Sequence, residues 1–311
     1  MTQGTATALR LPARIQRAVD GMAQDLLQAP GSPPMDFSQP AGEPALVAHD
    51  SVSWRIFKNP VGLFIGGVAA VILELAEPRV RTGVWEHSSF RSQPMQRLQR
   101  TGLAAMVTVY GAHSVAEKMI AGVVRRHGRV TGLTPDGVPY GANDVDLLIW
   151  VQATAGFGFA QAYHLYVNTL TQDDFDRLYL EGAPAARLYG ALNAPASEDA
   201  MQALFDSMRG RLEPSPIVFE FLDIMRKAPI FPAPLRPLQR MLIRAAVEMT
   251  PVWVRERLGL TAGYGLRAIE KPLVRWAGRL ADRVLLGESP AVQACRRLGL
   301  PADYLYRRRS G

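Results

Sequence analysis

Counting back from His127 by three, four, seven and eleven positions meets Val124, Val123, Ile120 and Ala116, a continuous apolar stripe at helical spacing. Ser114-Val-Ala-Glu117 just before it has the form of a capping box, which predicts a helix from Ser114 to about Arg126 closed by His127, its imidazole turned inward. By spacing alone the simpler reading is a hydrogen-bonded core histidine. The preceding helix is expected from Pro94 to Tyr110, with Gly111 as its stop, and it carries Arg97, Arg100 and Thr101. Arg97 and Thr101 are four apart and share a face. Further upstream, Asn59-Pro60 opens a helix whose run over residues 61–73 is apolar throughout. That run is shorter than the ~20 residues a bilayer span needs, so it is expected to be a central core helix. Its Gly62, Gly66 and Gly67 would let another helix or a flat cofactor come close.

Beyond His127, Thr134-Pro-Asp-Gly137 is a turn signal, and a short β-hairpin is expected across residues 129–140. Asn143 is expected to cap a long helix to about Val167. Within it, Ala155-Gly-Phe-Gly-Phe159 is a poor helix former by propensity, pointing either to tight helix packing or to room for a macrocycle. Thr171-Gln-Asp-Asp174 is a second capping box and Ser197 a further start. Helical apolar spacing recurs over 217–224, 238–247, 252–258 and 273–286, with prolines between 214 and 237 as punctuation. The pattern predicts an all-α chain: a single multi-helix domain over residues 51–311, at most one β-hairpin, and a flexible N-terminal lead over residues 1–50 in which Leu9, Leu11, Ile15 and Val19 could form a short amphipathic helix.

Composition narrows the function. The 311 residues are 48% hydrophobic, enough for a sizeable core, and a mean hydropathy of zero argues against a polytopic membrane protein. The net charge is +7, yet the arginines are scattered singly along helices apart from Arg307-Arg308-Arg309, so no nucleic-acid partner is expected. That tail reads as a solvated terminus, with peripheral contact to an anionic membrane surface as the second option. The lone cysteine, Cys295, rules out an internal disulfide and a multi-cysteine zinc site, and points to a reducing, cytoplasmic setting. No phosphate loop, dinucleotide-binding glycine motif or carboxylate-rich metal cluster is present, and no carboxylate stands out as a catalytic base.

The runs Glu86-His-Ser-Ser-Phe-Arg91, Arg97-Leu-Gln-Arg-Thr101, His127-Gly-Arg-Val-Thr-Gly132, Pro139-Tyr140, Asn143-Asp144 and Leu147-Leu-Ile-Trp-Val151 resemble the MpaB and latex-clearing-protein (rubber oxygenase) family. The resemblance spans roughly residues 52–189. It implies an all-α protein that holds haem b through one histidine and cleaves carbon–carbon double bonds of polyisoprenoids or isoprenoid side chains with dioxygen. Carried over, His127 would be the axial iron ligand and Arg97 and Thr101 the pair beside the haem. Arg100 would stand where relatives place a distal lysine. The resemblance therefore names Arg97, Arg100 and Thr101 as catalytic residues. It names His127, Arg97, Thr101 and Gln152 as cofactor-binding ones.

The sequence departs from the family in two places. Gln152 replaces a histidine found in many relatives, and an amide hydrogen-bonds but ligates iron poorly. Gly128 stands where the family has alanine and loosens the helix end at the ligand. The reading is a haem-dependent oxygenase acting with dioxygen on an apolar, isoprenoid- or lipid-like molecule. Two alternatives stay open: a haem-binding sensor or carrier without turnover, and a haem-free helical protein that holds a lipid.

Overall fold

In the computed structural model, which describes residues 35–307 together with 8–12, 14–17, 20–21 and 28, the chain folds into α-helices and one small hairpin. In chain order the helices are α1 (Val52–Phe57), α2 (Pro60–Ala76), α3 (Pro78–His87), α4 (Pro94–Tyr110) and α5 (His113–His127). The hairpin of β1 (Thr131–Leu133) and β2 (Pro139–Gly141) follows. The second half holds α6 (Val145–Tyr166), α7 (Gln172–Tyr189), α8 (Glu198–Ser207), α9 (Pro216–Lys227), α10 (Arg236–Met249), α11 (Val252–Leu258), α12 (Glu270–Arg283) and α13 (Pro290–Arg297). The strands pair antiparallel, Thr131 with Gly141, and the turn stands as expected: Gly137 takes φ +80° and donates to the Thr134 carbonyl.

The centre is the crossing of α2 and α6. Asn59 caps α2 by accepting from the Gly62 amide, and Pro60 occupies the first turn, where its missing N–H costs nothing. A Cβ on Gly66 would lie 2.7 Å from the Gly158 carbonyl oxygen, and one on Gly158 would lie 2.5 Å from that of Gly66. The two glycines therefore exist to bring the helix backbones together, and Trp150 locks the crossing by donating from Nε1 to the Leu73 carbonyl. Of the two readings of the glycine-rich stretch in α6, packing accounts for Gly158. Gly67 is different, since a Cβ there would meet only the Phe159 ring at 4.0 Å.

Three local expectations are corrected. Helix α5 starts at His113, and Ser114 makes no capping box: its amide and hydroxyl donate to the carboxylate of Glu43, while Glu117 pairs with His113. A carboxylate from a distant segment does the work of a local cap, at the positive end of the helix dipole. Helix α6 starts at Val145 rather than at Asn143, whose side-chain amide instead donates to the Val124 carbonyl at the end of α5. The expected N-terminal lead is also corrected over residues 35–50. Phe37 and Val47 are buried in a second small core with Trp54, Tyr110, Ala294 and Cys295, and the buried Arg297 guanidinium donates to the carbonyls of Phe37 and Glu43. Residues 35–50 thus pack as part of the body. Leu9 exchanges backbone hydrogen bonds with Arg283 and Leu285, residues 14–17 are helical, and the rest of the expected amphipathic helix falls partly outside the described residues. Arg307 pairs with Asp303, and Arg308 and Arg309 also lie outside them.

Candidate functional site

Helices α4 and α5 form a hairpin across Gly111-Ala112 that reaches the body mainly through α1, α7 and α13, with only sparse backbone contact to α2 and α6. Gly111 permits the tight corner, since a Cβ there would lie 2.5 Å from the Val107 carbonyl oxygen. Facing the hairpin, α2 is buried over most of its length but leaves Phe64, Gly67, Val71 and Glu74 only partly covered, a single stripe at helical spacing. On α6, Val151, Gln152, Ala155 and Phe159 are likewise half-covered. These half-covered positions, apolar apart from Glu74 and Gln152, form the α2–α6 side of the site.

Five polar side chains lie around it. Glu74 is surrounded by protein yet keeps part of its surface uncovered, and burial pushes its carboxyl up to about 7 against the opposing influence of Arg97 and a hydrogen bond with Thr154. Arg97 on α4 is enclosed in the same way: burial draws its guanidinium below its ordinary range while Glu74 opposes and Arg100 adds to the effect. It donates to the Thr101 hydroxyl, and Thr101 in turn donates to the Arg97 carbonyl at 2.9 Å. Thr154 is fully buried on α6. His127 at the end of α5 is held below the usual histidine range by burial first and then by the charges of Arg97 and Arg126, which keeps the imidazole neutral. Its Nδ1 is buried with no hydrogen-bond partner, so the simple reading of a satisfied core histidine fails.

The structure places Arg97 within charge range of His127 and in hydrogen bonds with Thr101, which is itself exposed. Arg100 is exposed, with no carboxylate partner among the described residues, and touches the site only through its charge on Arg97. Gln152 is turned toward α7: its amide nitrogen lies 3.7 Å from where a Cβ on Gly182 would sit, and it makes no hydrogen bond among the described residues. Glu74 was not anticipated. The signal in the sequence is that it is the one acidic residue within the apolar helix Pro60–Ala76, where a charge can persist only with a partner. Tyr140 accounts for His87, whose Nε2 lies 3.1 Å from its hydroxyl.

These residues suit a macrocyclic metal cofactor. Among the described residues no three His, Cys, Asp or Glu side chains gather as a metal cage. A neutral imidazole with an unpartnered buried nitrogen is instead the donor for a group that brings its own equatorial ligands, and Arg97 provides a positive group near it. A separate cleft of about 180 Å³ on the outer side of the same helix end is lined by Gly122, Arg125, Arg126 and Arg129, and a smaller cavity of about 130 Å³ between Phe157, Glu198 and Trp253 contains none of the site residues.

Comparison with known families matches residues 54–283, more than half the chain, to the family described as ER-bound oxygenase mpaB/B'/Rubber oxygenase, catalytic domain. No curated protein matches the chain, and no solved structure does.

Proposed function

The chain belongs to the mpaB and rubber oxygenase family, and on that premise we propose that it is a haem b-dependent oxygenase acting with dioxygen on an apolar, isoprenoid- or lipid-like substrate. The observation that carries the reading is the grouping of His127, Arg97 and Glu74 around one half-covered apolar surface. His127 would hold the cofactor through its neutral imidazole. Haem b, when bound, would supply the iron chemistry that activates dioxygen.

The remaining roles belong to the chain's own residues. Phe64, Val71, Val151 and Phe159 present apolar surface that admits an alkene and keeps water out. The Arg97 guanidinium, steadied by Thr101, offers a fixed positive group to charge developing on oxygen. A carboxyl near pH 7 is equally able to hold or release a proton, so Glu74 is the acid–base group, with Thr154 fixing it and Arg97 tuning it.

Purified protein supplied with haem b should show a Soret band and should consume dioxygen while cleaving a polyisoprenoid. Arg97→Ala should keep the band and lower turnover by about 100-fold or more, the scale of losing one positioned charge donor. A Soret band without product would favour the sensor or carrier. No haem uptake, with retention of lipid, would favour the haem-free alternative.

A further inference from the structure

Helix α12 has two faces of opposite character. Its inner face is fixed by buried polar anchors: Asp282 pairs with the buried Lys58 ammonium at 2.5 Å, Asn59 donates to the Gly278 carbonyl at 2.9 Å, and Glu270 receives the Arg244 guanidinium. Val274 and Gly278 pack between these, Gly278 against the Tyr166 carbonyl. The outer face carries Ile269 just before the helix, 76% exposed, then Leu273 at 50%, Trp276 at 65% and Leu280 at 38%. Spaced by four, three and four, they fall within an arc of roughly 60° at 100° per residue. Isolated exposed apolar residues are ordinary, but a row of four with a tryptophan is not.

One flank of that row is basic. Arg283 and Arg279 stand about 50° and about 90° from its centre, while Arg275 and Lys271 lie further round, toward the inner face; all four are exposed. Arg275 donates to the Leu165 carbonyl, and Arg279 and Arg283 have no carboxylate partner among the described residues. Both acidic residues of the helix, Glu270 and Asp282, turn inward to cations. The outward surface of α12 therefore combines an apolar ridge with positive charge and has no negative charge.

We propose that this face of α12 docks the protein on an anionic phospholipid surface, with Leu273, Trp276 and Leu280 entering the headgroup–acyl boundary and the basic flank meeting lipid phosphates. An amphipathic helix with an aromatic apolar ridge and a Lys/Arg flank lies in that plane. Among the described residues no single helix is long and apolar enough to cross a membrane. The charge pattern also selects lipid over a second copy of the chain, because two such faces would bring like charges together. The inference does not depend on haem or on turnover.

The full chain is tested by flotation with phosphatidylcholine vesicles with and without phosphatidylserine. Wild type should float only with the phosphatidylserine vesicles. Leu273→Ser/Trp276→Ser should bind at least tenfold more weakly, and Arg279→Gln/Arg283→Gln about thirtyfold, at about fivefold per basic side chain. Unchanged circular dichroism and melting would establish that the variants fold, as the exposure of all four positions leads one to expect. Brominated lipid should quench wild type more than Trp276→Phe. Equal flotation of wild type and both variants, or no flotation of wild type, overturns the proposal. A wild-type dimer in sedimentation equilibrium that Leu273→Ser/Trp276→Ser dissolves would make the face an interface between copies and overturn it as well.

Discussion

The α2–α6 crossing and the α4–α5 hairpin border the same site and are built on opposite principles. At the crossing, Gly66 and Gly158 bring two backbones into direct contact and a tryptophan hydrogen bond closes the seam. The hairpin is held off, reaching the body through α1, α7 and α13; Arg97 and Thr101 bond to each other, and the His127 Nδ1 has no partner. The first region spends its sequence on density and the second on unsatisfied chemistry. Reactive polar groups can stay underfilled here because a close-packed element beside them supplies the stability they forgo.

The contrast breaks most readily at the crossing. Gly158→Ala should cost about 3 kcal/mol or prevent folding, because the new methyl meets backbone that cannot move aside. Gly67→Ala, one residue from Gly66 but half-covered, should stay within about 1 kcal/mol of wild type, since alanine favours the helix and meets only a ring at 4.0 Å. Urea denaturation of the pair measures both. Equal losses would show that the surroundings of Gly67 are as tightly packed as the seam.

On the hairpin side, His127→Ala should abolish haem retention while changing stability by no more than about 1 kcal/mol, because the imidazole Nδ1 satisfies nothing in the protein. Full haem content and an unchanged visible spectrum in that variant would remove the ligand assignment.

Glu74 links the two regions and should reveal itself through pH. Its carboxyl is raised from 4.5 to about 7 in the folded state, so the native protein binds the extra proton between those values. Its contribution is present below about pH 4.5 and is lost as pH rises through 7, a decline of about 2–3 kcal/mol after allowance for its partial exposure. Glu74→Gln should flatten this slope, measured as the difference in urea midpoint between pH 5 and pH 8. A slope identical to wild type would show that the carboxyl titrates normally.

The smallest effect is expected at Gln152, which faces α7 without a hydrogen bond. Gln152→His should keep the fold and retain haem equally or more tightly, read as the rate of haem transfer to an acceptor protein. Faster loss would show that the amide is needed where it stands.

Local chemistry wrote much of the fold in legible form. Helix α4 spans the expected residues, the Thr171–Asp174 box and the Ser197 cap close as expected, and the Thr134–Gly137 turn carries the only strand pair among the described residues. These features depend on residues within a few positions of one another, which a one-dimensional pattern contains. His127 was visible for the same reason, as the end of a stripe, and its kinship to oxygenases was visible in short runs of residues.

What only the tertiary structure decided required groups far apart in the chain to meet. Glu43 replaces the local cap at Ser114, Asn143 serves the end of α5 instead of the start of α6, and the Arg297 guanidinium draws residues 35–50 into the body. Glu74 becomes a titrating group near neutrality only because burial removes its water while Arg97 and Thr154 remain within reach. Desolvation and charge proximity are properties of three-dimensional surroundings, so the sequence could name the histidine but not the carboxyl that shares its site.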